Sequence, residues 1–156
     1  MVIQIDSRQK PLPHNLLIEQ SIQAQGLKTI RSKMLCGDYA LANNMSICID
    51  TKQNMAELYK DLIADHERFK NECKIATECG INLIILIPDE KIKSIDDVAS
   101  WINPLSSLRR TNSKPLTKSA TLCKIMKTMQ TYYSVEFKFC NPDDVGKEIV
   151  QILTYK

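Results

Sequence analysis

The sequence has no Cys-x-x-Cys pair and only two histidines, His14 and His66, neither in a zinc or metalloprotease spacing. Its six cysteines, at 36, 48, 73, 79, 123 and 140, fit no zinc module. Several fall inside apolar periodic segments, so they read as reduced, mostly buried thiols of a reducing compartment. No apolar run approaches the ~20 residues that a membrane-spanning helix needs. The opening residues, Met1 to Asp6, lack the basic region and small-residue cleavage site of a signal peptide. A cytoplasmic protein without membrane contact is expected. There is no internal repeat, no low-complexity run and no shift in composition, which gives one domain over 1–156.

A formal net charge of +3 is too small to imply nucleic acid by itself. Its distribution says more. Between 109 and 127 the chain carries six basic residues (Arg109, Arg110, Lys114, Lys118, Lys124 and Lys127) and no acid. Such a stretch is either a positive surface for a phosphate backbone or an ordinary solvated loop and helix face.

Residues 2–6 alternate and are β-branched, giving a first strand. A helix follows over 14–25, stopped at Gly26. Strands are predicted over 27–36, 39–42 and 45–52, with short connections that suggest an antiparallel meander. A single long helix then runs from Asn54, capped by Asn54 and Glu57, to Gly80. Its buried face is Met55, Leu58, Leu62, Phe69, Cys73 and Ala76. The apolar run 81–87 reads as an interior strand covered on both faces. A short helix capped by Ser94, a polar loop over 103–118, a helix over 119–132, a strand over 135–140 and a helix over 143–153 complete the chain. This order gives an α/β fold, a mixed central sheet flanked by helices on both sides.

The chemistry-bearing stretch is Gly37-Asp38-Tyr39 followed by the strand ending Asp50-Thr51-Lys52. A strand has a side-chain period of two, so Asp50 and Lys52 share one face while Ile47 and Ile49 take the other. Phosphodiester hydrolysis needs a hard cation on oxygen ligands and a positive group for developing charge. Asp38, Asp50 and the Thr51 carbonyl are candidate ligands, and Lys52 the positive group. Asp6, ending the first strand, is a candidate third carboxylate, and Arg8 a candidate bidentate phosphate clamp. Taken singly, each is weak: an Asp-x-Lys at a strand end is ordinarily a solvated turn, and Asp6-x-Arg8 a surface ion pair.

Together, Asp6-x-Arg8, Gly37-Asp38 and Asp50-x-Lys52 before a long helix resemble the XPF-type (ERCC4-like) branch of the PD-(D/E)xK nucleases. Arg68-Phe69-x-x-Glu72 is similar to an element on that family's helix, although Arg68 and Glu72 also suit a plain i,i+4 pair. The resemblance is to short stand-alone bacterial and phage versions. It implies a restriction-endonuclease-like mixed sheet, dependence on Mg²⁺ or Mn²⁺, and incision of branched, flap or junction DNA in repair or recombination. It makes Asp38, Asp50, Lys52, Asp6 and Arg8 catalytic. Asp38, Asp50 and Thr51 become metal ligands, and Arg8, Arg68, Arg109, Arg110, Lys114 and Lys118 DNA contacts, with a homodimer as one state. Four positions depart from the pattern: Gln9 replaces a Glu, Asp50 and Thr51 replace Glu-Arg, and Ala56 stands where the family has an Asp. No helix-hairpin-helix pair is seen. The departures keep two other readings open, a non-catalytic DNA-binding scaffold and an oligomerising partner subunit.

Overall fold

A computed structural model describes residues 1–108 and 113–155. Its regular elements are β1 (Val2–Asp6), α1 (Pro13–Ala24), β2 (Lys28–Ser32), β3 (Tyr39–Leu41), β4 (Asn44–Thr51), α2 (Met55–Ile63), α3 (His66–Glu78), β5 (Asn82–Pro88), α4 (Ser119–Tyr132), β6 (Val135–Cys140) and α5 (Val145–Thr154). Short 3-10 turns at Asp96–Ser100, Pro104–Ser107 and Pro142–Asp144 fill the connections. The strands form a six-stranded mixed sheet in the order β2-β1-β3-β4-β5-β6.

The meander expected of β2, β3 and β4 does not form. β2 pairs parallel with β1 at the sheet edge, and β3 enters on the other side of β1, antiparallel to it. The physical reason is the intervening α1: a strand–helix–strand unit returns its second strand parallel to the first. Only β3 and β4 keep the antiparallel hairpin relation. β2 bears Lys28 and Arg31 on an exposed strand, and charge of that kind protects an edge from further pairing.

β5 lies inside the sheet, parallel to β4 and β6. Its alternate residues divide between two cores. Leu83, Ile85 and Ile87 pack with α2, α3 and α4, through Leu58, Phe69 and Met126 among others. Ile84 and Leu86 pack with Ile22 of α1 and Ile149 of α5. A near-continuous apolar run is the pattern for a strand buried on both faces. On the second face α1 and α5 approach very closely at Gly146, where a Cβ would lie 2.5 Å from the Cβ and Oγ of Ser21.

Asn54 caps α2 by accepting from the Glu57 amide at 3.0 Å, while Glu57 Oε2 accepts from the Gln53 amide at 2.6 Å. The single helix expected from 54 to 80 is broken into α2 and α3. The amides of Ala64 and Asp65 both bond the Lys60 carbonyl, and Asp65 (φ −107°, ψ 29°) leaves the helical region. The apolar face nevertheless continues across the break, with Met55, Leu58, Leu62, Phe69, Cys73 and Ala76 all buried. Ser94 is not an N-cap. The amides of Lys93 and Ser94 are taken instead by Asp97 Oδ2, and the turn begins at Asp96.

All six cysteines are free thiols, five of them buried and Cys79 exposed. No described helix is long and apolar enough to cross a membrane.

Candidate active site

The site forms where the end of β4 meets the turn before β3 and the helices α2 and α3. Gly37 makes the turn possible. Its φ is +69°, and a Cβ there would come within 3.0 Å of the Ile49 carbonyl oxygen and 3.2 Å of the Cys48 Cβ. Asp38 is then fixed through its backbone: its amide donates to the Ile49 carbonyl at 2.7 Å and its carbonyl accepts from the Asp6 amide at 2.8 Å.

The Asp38 carboxylate is fixed as well. One oxygen, Oδ2, accepts from the Thr51 amide at 3.0 Å and from the Thr51 hydroxyl at 2.9 Å. Thr51, standing where the resembled pattern has a basic residue, thus anchors an acid. Burial pushes the Asp38 carboxyl up to about 7, and the neighbouring charge of Asp50 adds to the rise against the pull of the Thr51 bonds. Asp38 and Asp50 therefore lie close enough to feel each other's charge.

The period-two argument for Asp50 and Lys52 holds. Both face the α2–α3 side, and Ile49 points into the opposite core. Lys52 is 9% exposed, with Nζ 2.6 Å from Asp50 Oδ2 and 2.7 Å from Asp61 Oδ2. It also sits 5.8 Å from the centroid of the Phe69 ring. Burial alone would lower the Lys52 pKa, but Asp50 and Asp61 outweigh it and raise the ammonium above its ordinary value. Lys52 is therefore a fixed cation. The Lys52–Asp50 contact is an ion pair of poor angle, since Asp50 Oδ2 is buried yet accepts no well-directed hydrogen bond.

Asp61 and the bonding of Glu72 escape sequence reasoning. Asp61, 5% exposed on α2, holds both Lys52 and the exposed Arg68, whose Nη2 donates at 2.9 Å. The plain i,i+4 pair that Arg68 and Glu72 also suit does not form. Arg68 turns to Asp61 and Asp65, while Glu72 Oε1 accepts from the Gly37 amide at 3.0 Å. Burial first, and Asp50 second, raise the Glu72 carboxyl above its usual range. A signal for Asp61 existed: Ala56 stands where the resembled pattern has an Asp, and Asp61 is the one aspartate on α2.

Asp6 and Arg8 form a buttress. Asp6, 2% exposed, accepts from Arg8 through Nε (3.0 Å), Nη2 (2.5 Å) and the amide (2.7 Å), and from the Met34 amide at 3.3 Å. Burial opposes ionisation of Asp6, but the Arg8 bonds prevail and hold its pKa below the ordinary carboxylate range. The Asp6 carboxylate is thus engaged by Arg8 and Met34 rather than by Asp38 or Asp50. Arg8 spends its fork on Asp6 and on the Met34 carbonyl, 2.9 Å from Nη2. Gln9, where the pattern has Glu, exchanges hydrogen bonds with the Tyr39 hydroxyl at 3.1 and 3.2 Å.

Lys114 and Lys118 are exposed, whereas Lys127 is tied to Asp96. Arg109 and Arg110 lie outside the described residues. Among the described residues no group of three or more His, Cys, Asp or Glu side chains is placed to hold a metal ion. What is present is a pair of mutually repelling carboxylates, with a buried Asp50 oxygen short of a hydrogen bond. Hard oxygen donors of this kind fit Mg²⁺, which is commonly held by one or two carboxylates and otherwise keeps water. These groups line a cleft of about 310 Å³ that includes Asp38, Asp50, Thr51, Lys52, Asp61 and Arg68.

No protein-family model and no curated protein sequence matches the chain. Solved structures do resemble it. XPF from Aeropyrum pernix superposes with a TM-score of 0.65 at 15% identity, covering 98% of this chain and 63% of that one. The same protein in a complex with DNA gives 0.66 at 15% identity, covering 97% and 62%. The chain thus spans less than two-thirds of the length of these structures. From its first strand to its last helix, this chain has the XPF-like nuclease fold.

Proposed function

We propose that the chain is a metal-dependent endonuclease that hydrolyses phosphodiester bonds in branched, flap or junction DNA. The observation that carries this reading is the half-buried Asp38 beside the buried Asp50, with a fixed lysine next to them, in an XPF-like nuclease fold. A DNA complex of the Aeropyrum pernix structure supports DNA as the partner.

In this reading Asp38, Asp50 and the Thr51 carbonyl hold Mg²⁺ or Mn²⁺, which would polarise the phosphate and favour ionisation of water. Thr51 orients the Asp38 carboxylate through two hydrogen bonds. Lys52 has its proton held by Asp50 and Asp61, so it does not act as a base; it stabilises charge on the phosphate oxygens. Asp61 positions Lys52. Asp6 and Arg8 brace the turn that carries Asp38, and the exposed part of Arg8 would contact a backbone phosphate. Arg68, Arg109, Arg110, Lys114 and Lys118 contact the backbone.

The test is Mg²⁺-dependent cleavage of flap and junction DNA by the wild type and by Asp38→Ala, Asp50→Ala and Lys52→Ala. Cleavage by the wild type alone supports the assignment, and equal activity in all four overturns it.

A DNA-binding scaffold without catalysis is the second reading. It is favoured by the absence of a three-acid group among the described residues and by Gln9 in place of Glu. Calorimetric titration with Mn²⁺ separates the two: no binding that depends on Asp38 and Asp50 leaves only the scaffold.

A further inference from the structure

A second and larger cavity, of about 560 Å³, lies alongside the candidate site. It is bounded by α1, by Gln53 and Asn54 after β4, by Pro88 at the end of β5, and by the start of α5. His14, Ile18, Lys52 and Gln53 line both this cavity and the acidic cleft, so the two are one continuous surface. Its walls are apolar, with Leu17, Ile18, Pro88, Pro142 and Val145. Leu17 is 65% exposed and presents apolar surface to the cavity. The polar groups are uncharged donors and acceptors in the main. The Gln53 amide nitrogen sits 2.9 Å from His14 Nε2, and Asn54 and Ser21 stand nearby, with Asp143 on the lining.

We propose that this cavity receives one unpaired nucleotide of the substrate strand, the neighbour of the phosphate bound at Asp38, Asp50 and Lys52. The proposal rests on the hydrolytic reading above and specifies its substrate. A pocket of this volume is in the range that holds one small ligand. Apolar walls suit the faces of a base and its sugar, and side-chain amides and imidazole suit base edges. His14 and Gln53 at the shared boundary are the polar groups that a linking phosphate meets on passing from one compartment to the other. A base stacked in a duplex must be pulled out of the helix to enter, whereas an unpaired one has no stack to leave. The cavity thereby selects strands with an unpaired nucleotide beside the cut. The close α1–α5 crossing at Gly146 and Ser21 fixes two of its walls before any ligand arrives.

The experiment uses flapped DNA with 2-aminopurine as the unpaired nucleotide at the branch, in Ca²⁺, following base fluorescence and overall anisotropy together. The proteins are the wild type and Leu17→Glu; Leu17 is exposed, so its variant keeps the fold, which circular dichroism verifies. On wild-type binding the 2-aminopurine signal changes, and it stays constant when the probe sits in the paired arm. Leu17→Glu abolishes the change and weakens flap binding by about tenfold, the factor one apolar contact of ordinary size confers, with affinity for plain duplex unaltered. Wild-type DNA binding with an unresponsive probe, an identical response in Leu17→Glu, or no DNA binding at all overturns the subsite. The hydrolytic reading fails differently: probe and affinity behave as expected but wild type and Asp38→Ala are equally inert in Mg²⁺.

Discussion

Thr51 donates twice to the same carboxylate oxygen of Asp38, once from its amide and once from its hydroxyl. The amide bond belongs to the backbone and survives substitution, whereas the hydroxyl bond does not. Thr51→Val keeps the shape and the strand propensity and removes one bond. It is expected to cost about 1 kcal/mol of stability and to weaken Mn²⁺ binding by about tenfold. Denaturant unfolding and calorimetric titration read these separately.

Asp38 also sets a pH dependence. Its folded pKa, about 7, lies above its ordinary 3.8. The stability this group confers is therefore fully present below about pH 4 and is lost as pH rises through 7. The raised carboxyl of Glu72 acts in the same direction. Without divalent ions, the melting temperature of the wild type should fall between pH 5 and pH 8 more steeply than that of Asp38→Asn. Mn²⁺ should restore the wild type at pH 8 and have little effect at pH 5, because protons and cation compete for the same carboxylates.

Asp61 provides a third case. Breaking one side of a buried ion pair leaves the other charge uncompensated, so Asp61→Asn should destabilise the fold by about 3 kcal/mol. Lys52 then loses one of its two anchors and Arg68 its main one. The turnover rate should fall by about tenfold or more, with unchanged Mn²⁺ affinity. Equal losses in turnover and in metal binding would place Asp61 with the ligands instead.

The exposed lysines of the basic stretch differ from the paired one. Lys114→Ala and Lys118→Ala should each lower the slope of log affinity against log salt by about 1. Lys127→Ala should lower it less, since Asp96 already holds that ammonium. Filter binding on a plain duplex across a salt series measures all three.

The features legible from sequence were those governed by short-range geometry. The shared face of Asp50 and Lys52 follows from the period of a strand, the start of α2 from Asn54 and Glu57, and the interior place of β5 from its apolar run. Gly37 was legible as part of a Gly-Asp turn, but the contact that demands glycine, with Ile49, lies across the sheet. What stayed hidden depends on distant partners. Glu72 reaches the Gly37 amide across thirty-five positions of sequence, and its helix spacing pointed to Arg68. Asp61 meets Lys52 only in the folded chain, where α2 packs on β5 beside the end of β4. The position of β2 escaped for a similar reason: neighbouring strands in sequence need not be neighbours in a sheet, and α1 reverses the expectation.

The β3–β4 hairpin brings Asp38 to Thr51 across only thirteen positions of sequence. Closing so short a loop is fast and entropically cheap, while Glu72 reaches the Gly37 amide through a longer closure. The two acids should thus meet early in folding, before Glu72 has closed on the Gly37 amide. Repulsion between them then acts on the folding barrier and not only on the finished protein. Stopped-flow refolding at pH 8 should be faster with Mg²⁺ present, and Asp38→Asn should refold quickly without it; no change in either rate would place the closure of this hairpin after the barrier.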